Sequence, residues 1–131
     1  MCKTVYIEVA GKEYPMRFSI AAAKAISEKF GSLDKLSEAL SGAGEADTLD
    51  NVLWVVALLI QQGCAYKNLF EKDQPVPENA PVEKGKYVPL DKEQLEVGLD
   101  ILSLRDLQGK IYQTVGTGQQ QTVETQTDEK N

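Results

Sequence analysis

Histidine is absent from this chain of 131 residues, which removes the commonest general base and the commonest metal ligand. Cysteine is nearly absent as well. Cys2 and Cys64 stand alone; neither belongs to a C-x-x-C pair, and no zinc set can be completed. Two reduced cytosolic thiols are expected, Cys2 accessible and Cys64 packed. Positive charge is in deficit: 14 Lys and Arg face 20 Asp and Glu, a net charge of −6. Nucleic acid and anionic membrane surfaces both demand a basic face, so neither is an expected partner. No apolar run approaches the roughly 20 residues that a bilayer span needs. Met1-Cys2-Lys3 leads directly into Thr4-Val5-Tyr6-Ile7 with no h-region or cleavage site, so a cytoplasmic protein is expected.

The motifs that suggest chemistry fail one by one. Ser32-Leu33-Asp34-Lys35 fits S-x-x-K, but the S-D-N and K-T-G elements that such enzymes also need are missing; Ser32 reads instead as a helix cap. Gly42-Ala43-Gly44 and Gly116-Thr117-Gly118 do not lie between a strand and a helix, and no G-K-[ST] follows either. Glu93, Glu96 and Asp100 share one helical face, which reads as solvated rather than as a cation site. The expectation is a protein that is not an enzyme, with no catalytic, cofactor-binding or metal residue and no cofactor.

What the chain has is one dominant apolar run, Val52-Leu53-Trp54-Val55-Val56-Ala57-Leu58-Leu59-Ile60. Thr48 and Asp50 are good N-caps before it and Gly63 a usual stop after it, so Asp50 to Gly63 reads as a central core helix with Trp54 buried. Cys64 to Phe70 either prolongs that helix past a kink or forms a separate turn. Thr4 to Val9 and Glu13 to Phe18 alternate with period 2 about Ala10-Gly11-Lys12, predicting a hairpin. Pro15 cannot donate to a ladder, so its N–H side should face an edge. Ser19 caps a helix from Ile20 to Phe30, and Ser32 a second from Leu33 to Leu40. Lys72 to Leu90, with Pro75, Pro77, Pro81 and Pro89, reads as a flexible loop. Asp91 with Gln94 forms a capping box before a helix carrying Leu95, Leu99 and Leu102, and Ser103 with Asp106 restarts a helix through Leu104, Leu107, Ile111 and Val115. Residues 116–131 are Gln/Thr-rich and read as a disordered tail.

The fold class expected is therefore α+β, mainly α: an N-terminal two-stranded β-hairpin followed by about five short helices around the central apolar helix. Residues 1–115 form one domain and residues 72–90 are a loop within it. Two apolar stripes are candidates for a partner-binding surface: Ala22, Ala23 and Ile26, and Leu104, Leu107, Ile111 and Val115. The hairpin leaves open edges, making Val5, Ile7, Met16 and Phe18 candidates for self-association.

Gly11-Lys12-Glu13-Tyr14-Pro15-Met16-Arg17-Phe18, the helix end Glu28-Lys29-Phe30-Gly31-Ser32-Leu33 and the Leu53-Trp54 to Leu58-Leu59 helix resemble the tail assembly chaperones of long-tailed phages and prophages of Gram-positive bacteria. The resemblance is best over residues 1–70. It implies a mostly helical, non-catalytic protein of the bacterial host cytoplasm that tends to form homo-oligomers and coats the tape-measure protein until the tail tube polymerises around it. The alternative is a small acidic regulator that inhibits a nucleic-acid-binding partner by charge mimicry.

Overall fold

The computed structural model describes residues 4–42 and 44–116; Cys2 and the tail from Thr117 onward lie outside them. The architecture is α+β and mainly α. Strands β1 (Val5–Val9) and β2 (Lys12–Met16) form the N-terminal hairpin. Helix α1 (Ile20–Phe30), a 3-10 turn (Leu33–Lys35), α2 (Leu36–Ser41) and the long α3 (Glu45–Phe70) follow. A small second hairpin, β3 (Val82–Glu83) with β4 (Lys86–Tyr87), precedes α4 (Lys92–Gly98), another 3-10 turn (Ile101–Ser103) and α5 (residues 104–116).

The first hairpin closes through Ala10 and Gly11, both at positive φ (52° and 82°), the two-residue turn whose twist matches its strands. Val9 pairs with Lys12, which puts Tyr6 opposite Pro15 in a pair that exchanges no ladder bond. The donor that proline lacks would therefore point off the sheet, as expected. Alternation buries Val5, Ile7, Val9, Tyr14 and Met16, and Pro15 is buried with them.

β2 lies directly on α3. The Arg17 N–H donates to the Leu59 carbonyl at 3.1 Å, and a Cβ at Gly63 would stand 2.1 Å from the Pro15 carbonyl oxygen. Gly63 is thus no helix stop. It is the point where backbone meets backbone, and α3 runs through it without a break to Phe70. At its other end α3 starts five residues before Asp50. Gly44 is its N-cap and offers no side chain, while Glu45 and Asp47 in the first turn complement the helix dipole. Its 26 residues would reach across a bilayer by length and composition alone.

Ser19 caps α1 as expected, accepting from the Ala22 N–H at 3.0 Å, and its hydroxyl also donates to Gln62 Oε1 on α3 at 2.6 Å. Ser32 makes no capping bond, and a 3-10 turn replaces the expected first turn of that helix. The end of α2 is held by two amides from elsewhere: Asn51 Nδ2 donates to the Ala39 carbonyl at 2.9 Å and Gln108 Nε2 to the Leu40 carbonyl at 2.6 Å.

Segment 72–90, expected to be a loop throughout, carries the β3–β4 hairpin, which turns through Lys84 and Gly85 at φ 52° and 82°. Asn68 clamps it to α3, donating to the Tyr87 carbonyl at 3.0 Å and accepting from the Tyr87 N–H at 2.9 Å. The Asn79 carbonyl accepts from the Glu13 N–H at 3.0 Å, so this segment also occupies the outer edge of β2.

Candidate functional site

α3 is buried on one side only. Val52, Val55, Val56, Leu59, Ile60 and Cys64 face the hairpin, α1 and α2 and are closed off from solvent. Leu49, Leu53 and Ala57 border that face at i, i+4 and i+8, and with Trp54 and Leu58 they form a half-buried stripe. Trp54, expected in the core, is half-buried and packs against it, meeting the Phe30 ring edge-on at 5.7 Å with the Lys29 ammonium 4.9 Å from its own ring.

α4 rests on this half-buried stripe through Leu95, which is fully buried. The capping box starts it as expected: Asp91 Oδ1 accepts from the Gln94 N–H at 2.8 Å, and Gln94 Oε1 accepts from the Asp91 N–H at 3.0 Å. The helix then ends early. Gly98 seats its last turn against Val9, where a Cβ would stand 3.1 Å from Cγ1, and Leu99 and Asp100 are extended. This break overturns the expected continuous stripe. Leu95 and Leu99 turn inward, whereas Leu102 is 92% exposed. It also divides the carboxylates expected on one face, since Glu93 and Glu96 belong to α4 and Asp100 to the next turn.

The break opens a groove of about 380 Å³ between α3, α4 and the start of α5. Its walls are Ala46, Leu49, Leu53, Leu95, Leu99, Ile101, Leu104 and Leu107, and its rim carries Asp50, Glu96 and Asp100. The Lys92 ammonium pairs with Asp50 Oδ1 at 2.9 Å across the edge, and that hydrogen bond raises the lysine's pKa. Val97 and Ile101 are 86% and 64% exposed. Isolated exposed apolar residues are ordinary; Ile101, exposed and lining an apolar groove, marks a docking surface.

Of the residues expected to form the partner surface, only Leu104 and Leu107 line this groove, and Leu107 is itself buried. Ile111, Val115, Ala22 and Ile26 belong to the molecule's own core. Ala23 is half-buried and lines a separate shallow depression on α1 with Ile20 and Lys24. Of the expected self-association residues, Val5, Ile7 and Met16 are buried within the chain's own core and Phe18 packs against that core. On β1 the Tyr6 carbonyl accepts from Lys110 Nζ at 2.8 Å.

Among the described residues no group of three His, Cys, Asp or Glu is placed to hold a metal. Burial pushes the Cys64 thiol up to about 12 from an ordinary 9.0, so the folded protein holds it neutral and unreactive. Alkylation near pH 8 should modify Cys64 only after denaturant is added. A raised folded pKa is a stability contribution that is complete below the unfolded value. Stability is therefore expected to decline as pH rises from about 9 towards 12, and Cys64→Ala should flatten that decline in alkaline melts.

No family model, curated protein or solved structure matches this chain.

Proposed function

We propose that the chain is a non-catalytic phage tail assembly chaperone that binds and solubilises the tape-measure protein during tail assembly in the bacterial host cytoplasm. The observation that carries this reading is the apolar groove between α3, α4 and the start of α5, into which the exposed Ile101 opens. A long helical partner with uncovered apolar stripes aggregates when left alone. An apolar groove can shelter part of such a stripe, and the net charge of −6 favours solubility of the coated complex. Short grooves repeated along one partner call for many copies, so self-association fits the same role, through surfaces other than the buried hairpin face. The alternative, a small acidic regulator that inhibits a nucleic-acid-binding partner by charge mimicry, rests on the net charge of −6 alone and gives the apolar groove no role.

Co-expression tests the proposal. The tape-measure product of the same gene cluster should be insoluble alone, soluble with this chain, and should co-purify with more than one copy per partner. Equal solubility in its absence would overturn the reading.

A further inference from the structure

We infer that the groove receives an amphipathic helix whose apolar stripe is flanked by lysine or arginine; its biological occupant rests on the chaperone reading, but its chemistry does not. The case for a helix comes from the walls. Leu53, Leu95, Leu99, Ile101 and Leu104 present side chains from three helices and one short turn. A bound strand would lay unpaired backbone groups against these apolar surfaces, whereas a helix satisfies its own. A volume of 380 Å³ is at the small end of ligand clefts, roughly 300–1,000 Å³. It suits a few side chains at i, i+3 and i+4 of one helix face rather than a whole ligand.

The case for basic flanks comes from the rim. Among the described residues three carboxylates line the groove and no cation does. Lys92 pairs with Asp50 and its charge is also felt by Glu96, but neither Glu96 nor Asp100 forms a salt bridge among the described residues. An apolar stripe with acidic flanks would bring like charges together at a partly desolvated edge, a repulsion that selects against it; basic flanks would meet complementary charge.

The experiment uses fluorescence polarisation with labelled synthetic helices. One carries leucines at i, i+3, i+4 and i+7 flanked by lysines; a second has glutamate flanks; a third has the leucines replaced by serine. The lysine-flanked peptide should bind at least about tenfold tighter than either of the others. Its affinity should fall as salt is raised and fall about tenfold in Glu96→Lys/Asp100→Lys. Ile101→Asp should abolish binding with the melting temperature unchanged; the rim variant, wholly on exposed positions, gives the answer if Ile101→Asp is unstable. Equal binding of the lysine and glutamate peptides overturns the inference, as does full binding by Ile101→Asp. So does a dimer that Ile101→Asp dissolves while no peptide binds, since the groove is then a contact between copies. Peptide binding without rescue of the tape-measure product would drop the chaperone reading and leave this inference standing. Rescue without peptide binding would do the reverse.

Discussion

Gly63→Ala is expected to destabilise the protein by about 3 kcal/mol, at the upper end of the usual cost of overpacking a core. Two effects of opposite sign compete at this position. Alanine in a helix interior is better than glycine by up to about 1 kcal/mol, so propensity alone predicts stabilisation. The packing predicts the reverse. The new methyl would stand 2.1 Å from the Pro15 oxygen, 2.4 Å from its carbonyl carbon and 2.9 Å from the Met16 nitrogen. All three are backbone atoms that cannot swing aside, and β2 is fixed on both flanks of the contact by the Arg17–Leu59 and Glu13–Asn79 hydrogen bonds. Packing should win. Urea titration measures the sign directly, and a more stable Gly63→Ala protein would mean that the hairpin does not lie on α3 as described.

The second large effect separates core from surface along the C-terminal stripe. Ile111→Asp should unfold the protein, because Ile111 is 0% exposed and a carboxylate there has no partner for its charge. Leu102→Asp should leave the melting temperature within about 2 °C, since surface substitutions rarely exceed ±0.5 kcal/mol. Together with Ile101→Asp it should nonetheless release the partner. Thermal melts followed by co-purification read both outcomes. A folded Ile111→Asp protein would contradict the placement of α5.

What the sequence disclosed follows from the range over which its signals act. The first hairpin was legible because alternation and a glycine turn are local, and so were the Ser19 cap and the Asp91–Gln94 box. The second hairpin used the same turn chemistry, Lys84-Gly85 between Val82 and Tyr87, but its two-residue strands are too short for alternation to register among the prolines. Gly63 was misread because a glycine after an apolar run looks the same whether it ends a helix or lets a strand approach it. The groove was illegible for a related reason. Leu95, Leu99 and Leu102 have perfect helical spacing, yet Gly98 sits against Val9, a residue about 90 positions away in the chain, and the helix ends there. The C-terminal stripe looked available for a partner because periodicity identifies an apolar face without saying which neighbour covers it.

Hydrogen–deuterium exchange on the complex with the tape-measure product tests the central claim most directly. If the groove holds the partner, amides of residues 98–104 and of the first turns of α3 should exchange more slowly in the complex than in the free chain, while those of residues 66–70 at the far end of α3 stay unchanged. Protection confined to residues 66–70, or no change around the groove in a complex that demonstrably forms, would contradict the account.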